Sequence, residues 1–149
     1  MTRRDCPHLF CFGLGYSAAA LVQALPVSDW QVAGTARTAE TAKRLREIGI
    51  EGLVFDGQQR SQPVAAELAQ ATHLLSSAPP GEAGDPVLRL YRDDIAANRG
   101  LRWIGYLSTT GVYGDTDGHT VDETAPLNPS SERSRRRVAA EAEWLALHS

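Results

Sequence analysis

A chain of 149 residues is long enough to bury one sizeable core, and a composition 42% hydrophobic and 22% charged is that of a soluble globular protein. The formal net charge of −3 gives no electrostatic reason to expect nucleic acid or an anionic membrane surface as a partner.

The chain opens on a basic stretch, Met1-Thr-Arg-Arg-Asp, but no signal peptide follows. The apolar run from Leu9 to Leu25 is broken by Gly13, Gly15, Ser17 and Gln23 and is closed by no cleavage site. Nothing approaches the roughly 20 apolar residues of a membrane helix. Cys6 and Cys11 have no other ligand cluster beside them, so they read as core or surface thiols, with no metal and no disulfide framework expected. The expected compartment is the reducing cytoplasm.

His8 to Phe12 reads as a first buried strand. Tyr16 to Leu25, rich in alanine and leucine, predicts a helix ended by Pro26 and Ser28-Asp29. Trp30 to Ala36 is a second strand, and Thr38 an N-cap for a helix from Ala39 to Ile48 that stops at Gly49. Ile50 to Phe55 is a third strand, Pro63 to Ala71 a short helix, and His73 to Ser77 a fourth strand cut by Ala78-Pro79-Pro80-Gly81. Pro86 to Ala97 is helical and Trp103 to Ser108 a fifth strand. Residues 109–129 form a loop, and Ser130 or Ser131 caps a last helix running to about Leu147. Strands that alternate with helices throughout imply an α/β fold, a doubly wound parallel sheet with helices on both faces. A complete dinucleotide-binding sheet of this Rossmann type has six strands in the order 3-2-1-4-5-6. Here five are expected, and the sequence ends after the helix that leads toward a sixth.

Phe12-Gly13-Leu14-Gly15-Tyr16-Ser17-Ala18 lies between the first strand and the first helix and fits G-x-G-x-x-A. Gly13 permits a tight turn, Gly15 lets backbone approach a pyrophosphate, and Ala18 lets the helix pack close to the strand. The other role open to these glycines is the turn alone. Ala33-Gly34-Thr35-Ala36-Arg37-Thr38, at the end of the second strand, lacks the acidic residue that binds an NAD ribose. Arg37 stands where a guanidinium grips a 2′-phosphate, which favours NADP(H) over NAD(H); its other role is a surface arginine.

Gly13 to Ala18, Leu75-Ser76-Ser77-Ala78 and above all Tyr106-Leu107-Ser108-Thr109-Thr110-Gly111-Val112-Tyr113-Gly114-Asp115 resemble the extended short-chain dehydrogenase/reductase superfamily, the NAD-dependent epimerase/dehydratase group. Val121-Asp122-Glu123, Pro126 and Asn128-Pro129 resemble the loop such proteins carry next. The likeness runs in order over nearly the whole chain. It implies that Asp56 contacts the adenine, that Ser77 and Ala78 line the cofactor, and that Thr109 is the active-site hydroxyl bonded to substrate, with Thr110 the substitute one register away. It also implies an oxidoreductase acting on a nucleotide sugar or a related carbonyl compound.

Three departures stand out. Phe12 occupies the first site of the family's G-x-x-G-x-x-G. The catalytic Tyr-x-x-x-Lys is missing, because Arg133 stands at the tyrosine and Arg137 at the lysine. A guanidinium stays protonated and has no acceptor lone pair, so Arg133 cannot pass a proton. Arg137 retains a charge able to hold a ribose or phosphate, Arg135 and Arg136 read as a solvated helix face, and Tyr113 belongs to the V-Y-G turn. Lastly, the family's C-terminal substrate region is not included. Residues 1–149 are therefore expected to be one NAD(P)-binding domain, apparently truncated. Three readings follow: an atypical NADP(H)-linked oxidoreductase, a non-catalytic NADP(H)-binding sensor or scaffold, or an incomplete domain whose exposed fifth strand invites homo-oligomerisation.

Overall fold

In a computed structural model, residues 6–26 and 28–148 are described; the basic residues 1–5 lie outside them. The strands are β1 (His8–Phe12), β2 (Gln31–Ala36), β3 (Glu51–Val54), β4 (His73–Ser76) and β5 (Trp103–Tyr106). The helices are α1 (Tyr16–Ala24), α2 (Ala39–Glu47), α3 (Gln62–Leu68), α4 (Pro86–Ala97) and α5 (Glu132–Leu145), with 3-10 turns at Thr110–Tyr113 and Ala146–His148.

The sheet is parallel throughout, in the order β3-β2-β1-β4-β5. β1 lies at its centre, with Phe10 opposite Ala33 of β2 and Leu74 of β4. A strand covered on both faces must be apolar on both, which is why His8–Phe12 reads as a continuous run rather than an alternation. Phe10 and Phe12 face the larger core with Val64, Leu68, Leu88, Tyr91 and Trp144 of α3, α4 and α5. Leu9 and Cys11 face α1 through Ala18. Burial pushes the Cys11 thiol up to about 12, as expected of an inert core cysteine.

Local chemistry sets the helix starts. Thr38 caps α2 by accepting from Thr41 N at 3.3 Å, as its position predicts. Ser131, not Ser130, caps α5 by accepting from Ser134 N at 3.1 Å. Asp85 caps α4, taking Val87 N at 2.8 Å and Leu88 N at 3.0 Å. Gly49, at φ +83°, ends α2.

Several elements are shorter than the sequence suggests, and α3 and β5 show the physical reasons. α3 stops at Leu68 rather than Ala71, where Asn98 Nδ2 donates to the carbonyls of Leu68 (2.8 Å) and Ala71 (3.0 Å). β5 stops at Tyr106 rather than Ser108, because after Leu107 N bonds Ser76 O the chain turns into the 3-10 segment. β5 is an edge of the sheet, with Trp103 46% and Ile104 39% exposed. Among the described residues no helix is long and apolar enough to cross a membrane, and no three His, Cys, Asp or Glu side chains gather as metal ligands.

Candidate dinucleotide site

The turn from β1 into α1 is held from both neighbouring strands. Gly13 sits at φ +79°, where a side chain is strained, and a Cβ there would stand 2.9 Å from Ser77 Oγ. Its N–H donates to Thr35 Oγ1 at 2.8 Å, and Leu14 N donates to Thr35 O at 2.9 Å. From β4, Ser77 Oγ donates to the Gly13 carbonyl and Ser77 N to Phe12 O at 2.9 Å. Leu14 lays its side chain on β2, where only a glycine fits: a Cβ on Gly34 would lie 2.6 Å from Leu14 Cδ1.

Gly15 is the N-cap of α1, and no side chain closes that end of the helix. Among the described residues the N–H groups of Tyr16, Ser17 and Ala18 have no acceptor, while a Cβ on Gly15 would meet nothing within 4 Å. Open space over free N–H groups at a helix N-terminus is what an anion requires.

That space continues into a cleft of about 630 Å³ at the C-terminal ends of the strands. This is within the roughly 300–1,000 Å³ common for small-molecule sites. Seven of the residues predicted for cofactor contact line it together: Gly13, Leu14, Gly15, Arg37, Asp56, Ser77 and Ala78. The other three, Tyr16, Ser17 and Ala18, are not among its lining residues. Tyr16 is 93% exposed on the far side of the loop, Ser17 is exposed, and Ala18 is buried beneath the helix. Asp56 is exposed and accepts from Gln58 N at 2.9 Å, which fixes its carboxylate in a turn at the rim. Arg37 is exposed at the opposite rim, beside Thr38 and Thr41.

A larger hollow, about 870 Å³, lies between α1 and α2 and is lined by Val22, Trp30, Leu45 and Ile48 among others. It touches the loop only at Leu14, Gly15 and Tyr16, whereas the smaller cleft lies against Gly13, Arg37 and Ser77 together at the C-terminal ends of the strands, which makes it the better site for an anionic ligand.

The segment after β5 carries the candidate Thr109, which is not among the residues lining that cleft. Thr109 is half-buried at the start of the 3-10 turn, and its Oγ1 accepts from Gly111 N at 3.3 Å. Its hydroxyl proton therefore stays available to a ligand. Thr110 is exposed. Gly111 packs on α5, where a Cβ would come 2.7 Å from Ser134 Oγ, and Gly114, at φ +73°, packs on the Asn128 carbonyl. These contacts explain why the threonine block and the Asn128-Pro129 loop occur together.

Arg133 is exposed, and Arg135 and Arg136 pair with Glu132 and Glu82 as a solvated face. Arg137 departs from its expected role of holding a ribose or phosphate. It is 7% exposed, donates to the Leu107 carbonyl, and lies over the Tyr106 ring, 5.6 Å from its centroid. Burial pushes the Tyr106 phenol up to about 12, the wrong direction for a proton donor near neutrality. On its other face Tyr106 stacks on Trp144 at 5.8 Å, and Trp144 Nε1 donates to Asp85 Oδ2 at 3.0 Å.

Two contributors were not singled out from sequence. Thr35 offered one signal, a hydroxyl in a strand flanked by small residues, and Asp85 another, an N-cap residue before Pro86.

The chain matches no protein-family model and no curated protein. Solved structures do match. A conserved protein of unknown function from Silicibacter pomeroyi is 44% identical over 95% of this chain and 49% of its own, with a TM-score of 0.80. A variant of the UDP-glucuronic acid 4-epimerase of Bacillus cereus, complexed with NAD and a fluorinated UDP-sugar acid, is 18% identical over 95% of this chain and 52% of its own, with a TM-score of 0.74. The dTDP-glucose 4,6-dehydratase of Bacillus anthracis, in complex with NAD, is 14% identical over 96% and 51%, with a TM-score of 0.71. The chain thus spans about half the length of the structures it matches. Its fold is that of about half of each of these structures, a Rossmann-type parallel sheet in the order β3-β2-β1-β4-β5.

Proposed function

We propose that residues 1–149 form a dinucleotide-binding domain of an epimerase/dehydratase-like oxidoreductase, with NADP(H) preferred over NAD(H). The observation that carries the reading is the cleft that gathers Gly13, Gly15, Arg37, Asp56, Ser77 and Ala78 around an uncapped helix start. The pyrophosphate belongs over the N–H groups of α1, the adenine near Asp56, and a 2′-phosphate against Arg37. The bound nicotinamide supplies hydride chemistry; the chain supplies placement, with Thr109 donating a hydrogen bond to a carbonyl or hydroxyl of the substrate. A nucleotide sugar or related carbonyl compound is the substrate class this architecture suits.

A second reading has its own support. Arg133 and the buried Arg137 leave α5 without a phenol, which suits a module that binds NADP(H) and does not turn it over. Titration of the chain with NADPH and with NADH, followed by nicotinamide fluorescence, tests the common part of both readings. Tighter binding of NADPH is expected, and Arg37→Ala should remove the preference, with a loss of about tenfold for NADPH only. Equal losses for both nucleotides would refute the role of Arg37. Oxidation of NADPH by a panel of sugar nucleotides separates the two readings.

A further inference from the structure

Thr35 is 1% exposed, and its hydroxyl adds nothing to apolar burial. What it does instead is take the Gly13 N–H at 2.8 Å while its own carbonyl takes the Leu14 N–H at 2.9 Å. These are the two successive amides the chain presents as it leaves β1. Ser77 holds the carbonyl of the same Gly13 from the opposite strand. Gly13 is thus fixed at its donor by β2 and at its acceptor by β4, with its φ locked at +79° between them.

We infer that Thr35 is a positioning residue for the phosphate loop: its hydroxyl sets the Gly13 peptide, and through it the direction of α1's free N–H groups, before any ligand arrives. The inference rests on the dinucleotide reading above and extends it to a residue of the cleft wall that is 1% exposed and engaged with the loop. Without the acceptor, the Gly13 N–H is buried and unpaired, so the peptide turns to find another partner and Gly15 and the helix start move with it. The consequence falls on the pyrophosphate, which NADPH and NADH share, and spares the discrimination made at Arg37. Preorganisation of this kind reduces the ordering cost of binding.

The test uses the full 149-residue chain with NADPH and NADH as probes. Thr35→Val keeps the shape and removes the acceptor; Thr35→Ser keeps the acceptor and removes the methyl. Thr35→Val is expected to weaken both nucleotides by the same factor, about tenfold or ~1.4 kcal/mol, and Thr35→Ser to stay within about twofold of the parent chain. Amide exchange at Gly13 in the unliganded chain should accelerate in Thr35→Val and remain slow in Thr35→Ser, a response that a general loss of stability would not confine to one amide. If the valine variant folds poorly, Thr35→Ala against Thr35→Ser, which differ by one hydroxyl, gives the same comparison. Parent-like binding by the valine and alanine variants, failure of serine to restore affinity, or a loss confined to NADPH would each overturn the role of Thr35. A parent chain that takes up neither nucleotide instead refutes the dinucleotide reading, and this inference with it.

Discussion

Gly13 and Gly15 lie two residues apart in one loop, yet a methyl group on each should fail differently. At Gly13 the φ of +79° costs an L side chain roughly 1–2 kcal/mol. The new Cβ would also stand 2.9 Å from Ser77 Oγ and push away the hydroxyl that holds the Gly13 carbonyl, adding about 1 kcal/mol. A loss of about 2–3 kcal/mol in a chain of 149 residues lowers Tm by roughly 5–10 °C. Gly15 has φ −90° and ψ −162°, a conformation open to any residue, and a Cβ there meets nothing within 4 Å. Alanine is a poorer N-cap than glycine, but it also reduces the freedom of the unfolded chain, so the net change is within about 0.5 kcal/mol. Its methyl would instead occupy the approach to the N–H groups of α1, and NADPH affinity should fall at least roughly tenfold. Thermal unfolding and fluorescence titration of the two variants separate the effects. Parent-like NADPH affinity in Gly15→Ala would show that no anion closes on this helix end, and an unchanged Tm in Gly13→Ala would show that the bracket from Thr35 and Ser77 does not hold the turn.

Asp85→Ala strips the acceptor from Val87 N, Leu88 N and Trp144 Nε1 together, all inside the core. Urea unfolding should record a loss of about 3 kcal/mol, and Asp85→Asn, which keeps a capping oxygen, about half as much; equal losses would place the effect in the charge rather than the cap. Among the described residues the buried Tyr106 hydroxyl makes no hydrogen bond of normal geometry, so Tyr106→Phe should change stability at neutral pH by under about 0.5 kcal/mol. Because burial raises its folded value from 10.0 to about 12, the stability linked to this phenol is complete below pH 10 and is lost as pH rises toward about 12. Tyr106→Phe should flatten that alkaline decline, and an identical decline in both chains would refute the assignment.

The skeleton of the fold was legible because its signals are local. β1 and α4 have the limits their apolar runs and flanking glycine or proline suggest, and Thr38 caps α2 where its place before Ala39 implies. The loop was legible for the same reason: glycine spacing between a strand and a helix is a local pattern. What escaped depends on partners far along the chain. Thr35 reaches across 22 residues to Gly13, and its one local signal, a hydroxyl between small residues, names no partner. Arg137 was hidden by the family likeness. Ser134, Arg137, Ala140 and Trp144 form the buried stripe of α5 at helical spacing, but the position of Arg137 at the family's lysine suggested a ribose or phosphate instead.

That stripe changes what the arginines on α5 mean. A guanidinium is permanently charged, so burying one requires acceptors in place, and Arg137 has the Leu107 carbonyl and the face of Tyr106. It ties α5 to the end of β5, two residues before Thr109, and so helps to place that hydroxyl. Lysine in its place retains the charge but loses the planar contact with the ring. Arg137→Lys should therefore cost about 1–2 kcal/mol in urea unfolding and leave NADPH affinity within about twofold, provided the titration is run well below Tm. The opposite result, a chain of unchanged stability that binds NADPH more tightly, would mean that position 137 faces the cleft as the family's lysine does. In that case Arg133, exposed one turn earlier, becomes the residue to replace with tyrosine.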